Sequence, residues 1–188
     1  EIEATLREMS HPIFKAAGLE PERVNLFIVQ SDQINAFVAG GSNIFLYTGL
    51  IQATRDPGML IGVIAHEAGH IAGGHLARGA ERMKDAQIGV LLGYILGAAA
   101  AAAGGGDAAV AAISGSSHLA ERSMLAFSRA NEQAADQAAL TYLDALQLSP
   151  GGMLSMFETL RRKEKQRFGE LDPYAITHPL SQSRITHM

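Results

Sequence analysis

The run from Asp56 to Gly79, DPGMLIGVIAHEAGHIAGGHLARG, constrains the fold more than any other part of the chain. Asp56-Pro57 reads as a helix start, with a carboxylate placed to cap free amides and proline at the first helical position. The residues after Pro57 are apolar enough to belong in a core, yet His66, Glu67 and His70 lie in their middle. At roughly 100° per residue, positions 66 and 70 are about 40° apart around the axis and one turn apart along it. Two imidazoles so placed converge on one ion. Glu67, beside them, reaches a metal-bound water from outside the ligand set, the general-base position of a zinc peptidase. Such a five-residue pattern also arises by chance on core helices; here the apolar flanks and the marked helix start favour the metal reading.

A catalytic zinc takes three protein ligands. The chain has no cysteine, so the third must come from His, Asp or Glu. His75 is close in sequence, but nine residues from His66 it lies about 180° around an unbroken helix. Gly73-Gly74 could break that helix, and some zinc peptidases continue as HxxGxxH; here the glycine is present at 73 but position 76 is Leu76. His75 is therefore expected to cap the helix end or bond a carbonyl. Glu132 in NEQAAD is the better candidate, because Glu132 and Asp136 are four apart and share a helical face. One carboxylate can reach the metal while the other accepts the free ring N–H of His66 or His70, and spacing alone leaves open which. Two neutral imidazoles and one carboxylate leave a zinc site at net +1, able to acidify water and polarise a carbonyl.

The 188 residues suffice for one domain with a sizeable core, and a single domain over 1–188 is expected. A net charge of -4 without a basic stripe excludes a nucleic-acid footprint. No charged n-region with an apolar h-region opens the sequence, so any export signal is expected to lie outside it. Residues 1–17 place Ile2, Leu6, Met9 and Ile13 on one face of a first helix ending near Gly18. Residues 24–30 and 36–50 read as strands, broken at Gly40-Gly41-Ser42-Asn43, in a small, mostly antiparallel sheet. From Ala86 to Gly106 there is no charge, which predicts a buried or exposed helical hairpin, with membrane insertion or peripheral membrane contact through 86–113 as the alternative. A long helix is expected over 123–146, and another from Ser149-Pro150 to about Arg167.

HEAGHIAGGH, FSRANEQAAD and THPLSQSRI, together with INAFVAGGSNIFLYTGLI upstream, resemble peptidase family M48 in order and over nearly the whole chain. The resemblance implies an α+β, mainly helical zincin-type fold with the HExxH helix at the active-site cleft. It also implies one zinc held by His66, His70 and Glu132, with Glu67 as base and Asp136 as supporting carboxylate. His75 matches a family histidine that is not a ligand. His178 and Arg184 match a histidine and an arginine that approach the site, the first to bond the oxyanion or fill the metal's open position, the second to orient substrate or carboxylates. The expected function is a metalloendopeptidase that acts on extended, unfolded or misassembled polypeptides in the bacterial periplasm or cell envelope. A chaperone-like assembly factor that holds clients at the sheet edge is the alternative.

Overall fold

The computed structural model describes residues 1–166 together with His178 and Arg184. The expected end of the last helix near Arg167 and the rest of the closing polar tail lie outside the described residues. The chain divides into two compact units, one formed by Glu1–Leu76 with Asn131–Met188 and the other by Ala77–Ala130.

In the first unit, helix α1 (Ile2–Ala16) buries Leu6, Ile13 and Phe14. It stops at Gly18, whose φ of 70° allows the Leu19 amide to return to the Phe14 carbonyl. A 3-10 turn at Pro21–Arg23 leads to strand β1 (Asn25–Val29), followed by β2 (Ala36–Ala39) and β3 (Asn43–Tyr47). The order in the sheet is β1-β3-β2. β2 and β3 form the expected antiparallel hairpin, turning at Gly40 and Gly41, both with positive φ. β1, however, joins β3 in parallel, so the sheet is mixed rather than mostly antiparallel. The loop after β1 carries the chain past the central position to the far edge, and the hairpin then brings β3 back beside β1 in the same direction.

The second predicted strand also ends early, because Thr48–Ala53 forms helix α2. Thr48 exchanges hydrogen bonds with the backbone of Ser31, and Gly49 lies so close to the Asp32 and Gln33 carbonyls that no side chain would fit. That docking turns the chain out of the sheet.

Helix α3 (Pro57–Ala72) crosses the core, burying Met59, Leu60, Val63, Ile64, Ala65 and Ala68 alongside His66, Glu67 and His70. Asp56 occupies the cap position, but its side chain makes no capping bond; its backbone carbonyl accepts from the Met59 amide instead. Glycines let other helices approach α3 closely. A Cβ on Gly62 would stand 2.7 Å from Met153 Cβ of α6 (Gly151–Gln166), and one on Gly69 would stand 2.9 Å from the Ala135 carbonyl oxygen. Ala135 belongs to α5 (Gly106–Ala145), whose last turns also carry Glu132 and Asp136.

The second unit is the expected hairpin, formed by α4 (His75–Ala102) and α5 around a turn containing Gly104 at φ 84°. α5 starts well before the predicted Ser123, since its Ala-rich first turns carry no amphipathic signature. Gly97 admits Ile113 of the facing helix, while Ile88, Leu91, Leu92, Ile95 and Leu96 stay exposed.

Gly62→Ala is expected to destabilise the protein by about 1–3 kcal/mol through overpacking against Met153. Gly115→Ala, with open space around it, should be neutral or stabilise by up to about 1 kcal/mol. Urea unfolding midpoints of the two variants check the contrast.

Candidate metal centre

Because α3 completes one turn between positions 66 and 70, both imidazoles project from the same face, with His70 Nε2 3.1 Å from His66 Nε2. Glu132 of α5 closes the other side: its Oε2 lies 3.3 Å from His66 Nε2 and its Oε1 3.3 Å from His70 Nε2. His178 adds Nδ1, 3.2 Å from His66 Nε2 and 3.1 Å from Glu132 Oε2. One donor atom from each of these four buried residues lies within 4.8 Å of the others. The carboxylate that spacing singles out is thus brought to the histidine pair, and a histidine that only the motif resemblance indicates joins it.

Each ring is held from behind. His66 Nδ1 stands 2.9 Å from Asp136 Oδ1, an ion-pair contact rather than an aligned hydrogen bond, so Asp136 is assigned to His66. His70 Nδ1 is paired at 2.8 Å with Nδ1 of His75. His75 stands at the helix end, where it is expected to cap or to bond a carbonyl, and its ring also meets His70. α3 ends at Ala72, Gly74 takes φ 60°, and α4 begins at His75, so the Gly-Gly break turns His75 back onto His70. The two glycines are the available signal; the ring they serve cannot be read from them. His178 Nε2 donates to the Ala36 carbonyl at 3.1 Å, and its Nδ1 faces the cluster. Arg184 grips both Asp136 oxygens at 2.7 and 2.8 Å, reaches Glu132 Oε2 at 2.9 Å, and stacks its guanidinium 5.0 Å from the Phe157 ring centroid.

The electrostatics call for a cation. Among the described residues, Glu67, Glu132 and Asp136 bring three carboxyl groups to the cluster against the guanidinium of Arg184, so acidic groups outnumber the fixed cation. Burial disfavours the charged form of His66, but bonds and charges from Asp136, Glu132 and Glu67 outweigh it and raise its pKa to about 9. Burial dominates at His70 and lowers its pKa. Burial would also raise Glu132 and Asp136, yet both are lowered, Glu132 by its bonds to His178, His66 and His70, and Asp136 by Arg184 and His66. Glu67 is fully buried, and neither carboxylate oxygen has a hydrogen-bond partner among the described residues; His178 Nε2 stands 3.4 Å from Oε1. A buried carboxylate left in this state is costly unless something else occupies the space in front of it. The convergent imidazoles and carboxylate, with acidic groups outnumbering the cation, fit a divalent ion, and nitrogen with carboxylate oxygen fits zinc.

A model of peptidase family M48 matches residues 1–188. The chain belongs to that family. M48 peptidases are zinc-dependent, and zinc is the cofactor. The chain is 31% identical over 164 residues to the beta-barrel assembly-enhancing protease of Escherichia coli (strain K12), covering 86% of this chain and 33% of that protein. Metalloprotease LoiP of the same organism is 30% identical over 180 residues, with 91% of this chain and 64% of that protein covered. The mitochondrial metalloendopeptidase OMA1 of Schizosaccharomyces pombe is 27% identical over 176 residues, covering 92% and 48%. The chain spans about a third of the length of the barrel-assembly relatives.

Adding zinc to chelator-treated protein, at a free concentration near 100 times its dissociation constant, should stabilise the fold by about 2.7 kcal/mol. In a chain of this size that is a rise of about 5–10 °C in the thermal midpoint. Glu132→Ala should lose most of the rise; an equal rise in that variant would remove Glu132 from the ligand set.

Proposed function

We propose that this chain is the catalytic part of a zinc metalloendopeptidase that cleaves extended, unfolded or misassembled polypeptides of the bacterial cell envelope. The observation that carries the reading is Glu67, a buried carboxylate without a hydrogen-bond partner among the described residues, beside a four-residue donor cluster. In this reading His66, His70 and Glu132 hold the metal. Zinc, when bound, supplies the Lewis acidity that acidifies water and polarises a carbonyl. Glu67 takes the proton of the attacking water at a carboxylate oxygen and delivers it to the leaving amine. Asp136 and His75 keep the rings of His66 and His70 turned toward the ion, and Arg184 keeps Glu132 and Asp136 in place. The two units then act as parts of one peptidase domain.

The peptide lies along β2. Asn35 gives its carbonyl to the Tyr47 amide of β3, so by strand alternation Ala36 and Val38 direct theirs to the opposite edge. Among the described residues no strand pairs there. Main-chain bonds to Ala36 and Val38 would hold an extended peptide with little regard to sequence. His178 takes the Ala36 carbonyl, the acceptor that a peptide N–H would use, so a bound substrate displaces it. The envelope setting rests on the names of the relatives, a beta-barrel assembly-enhancing protease among them.

Glu67→Gln is expected to cut the hydrolysis of an unfolded polypeptide such as reduced casein by about 10²–10⁴-fold while leaving the zinc content unchanged. In the same assay His178→Ala should lower KM. Unaltered hydrolysis in Glu67→Gln would sink the peptidase reading, and full biological complementation by that variant would favour the chaperone-like alternative.

A second reading concerns the hairpin. By length and composition α4 is apolar enough to cross a membrane, with a mean hydropathy of 1.4 in its best window and only 11% of that window buried. Peripheral contact with the bilayer through Leu91, Ile95 and their neighbours would cover this surface. The chain should then sediment with phosphatidylglycerol vesicles, and Leu91→Ser with Ile95→Ser should abolish it; equal sedimentation of the double variant would remove the hairpin from the contact.

A further inference from the structure

Phe27, Phe45 and Phe37 occupy the same rung of the three strands: Phe27 pairs with Phe45 across β1 and β3, and Phe45 with Phe37 across β3 and β2. Their rings stack along that rung, with centroids 5.1 and 5.0 Å apart and planes only 19° and 12° from parallel. The stack lies on the side of the sheet away from the core. Its strand neighbours Leu26, Ile44, Leu46 and Ala36 are buried on the other side, whereas Phe27 is 45% exposed and Phe45 and Phe37 are half-buried. Sheet stability does not require three aromatic residues in one row, and apolar surface left open on one face marks a contact.

The row ends at β2, whose outer edge pairs with no strand among the described residues and meets the cluster at His178. Ala36, next to Phe37, holds His178 through its carbonyl, and His178 Nε2 is 3.4 Å from Glu67. We propose that Phe37 is a specificity-determining residue and that the ladder selects substrates: a peptide strand added at β2 places one side chain on the fourth rung, where an aromatic side chain is preferred. The inference rests on the peptidase reading for the location of the peptide. Strands lie about 4.8 Å apart, so a side chain directly opposite Phe37 enters at the ring spacing the ladder already has. Phe37 directs its own backbone groups to β3, so for an antiparallel peptide this rung is a non-hydrogen-bonded pair, where side chains approach most closely. The rung is adjacent to that of Ala36, so the preferred aromatic residue lies within one or two positions of the bond at the site. Main-chain pairing gives general affinity for extended chain, and the ladder adds a preference for strands with an outward aromatic side chain.

The test uses the zinc-loaded Glu67→Gln chain, which binds without cleaving, and two fluorescein-labelled decapeptides of alternating Thr and Ser, one with a central Phe and one with Ser in its place. Fluorescence anisotropy is expected to give about 3- to 10-fold tighter binding of the Phe peptide. Phe37→Val should bring the ratio to about one, and Phe37→Tyr should restore it. Phe27→Val, two strands from the peptide, should leave it in place, which separates contact from a general loosening of the sheet. A ratio near one in the parent, its survival in Phe37→Val, its loss in Phe27→Val, or no binding of either peptide overturns the proposal. Cleavage of both peptides by the chain with Glu67 intact is a separate reading: equal rates with no binding preference leave the peptidase assignment standing and remove the ladder's role.

Discussion

Placing three carboxylates in an apolar core is the constraint on which the remaining architecture depends. Glu67, Glu132 and Asp136 are each almost wholly buried, and charges withdrawn from water persist only when opposed and hydrogen-bonded. Arg184 opposes two of them, the histidines form a ring of donors around Glu132, and Glu67 is left facing the cluster. The helices meet that demand by close approach. Gly69 lets α3 and α5 come together near His70 and Glu132, and Gly62 lets α6 close over α3, so the charged groups are held by backbone proximity rather than by long, mobile side chains.

The legible and illegible parts of the sequence divide by the range of the interaction. The helix over Pro57–Ala72 and the sharing of one face by His66 and His70 follow from local periodicity, as does the Glu132–Asp136 pair. What periodicity cannot supply is pairing over distance. The parallel placement of β1 against β3 depends on where a six-residue loop delivers β2, and the early end of β3 depends on Thr48 finding Ser31. Gly73-Gly74 marks a possible helix break in the sequence, but that the break turns His75 onto His70 cannot be read from it. His178 and Arg184 belong to no periodic pattern; 46 residues separate His178 from Glu132, so only the resemblance of the closing motif points to them.

The sheet serves the site in a way its small size conceals. β2 is short and lies at an edge, a position proteins commonly protect against adventitious pairing. Here its outward carbonyl at Ala36 is taken by His178, which also stands 3.4 Å from Glu67, so this edge carries its own occupant. On the opposite side of the sheet, β1 contacts α1. Among the described residues, β2 is the strand that bonds directly to the cluster.

The absence of cysteine gives the site a second significance. In the proposed site, an ion held by His66, His70 and Glu132 would tie α3 to α5 across the sequence that forms the hairpin. Because the ion binds the folded chain rather than the unfolded one, such a tie would stabilise the fold by mass action, and its hold would be reversible. In a chain without cysteine, the metal would be the staple. Scarcity of the ion would then loosen the scaffold as well as silence the chemistry, coupling the protein's persistence to the supply of its own cofactor.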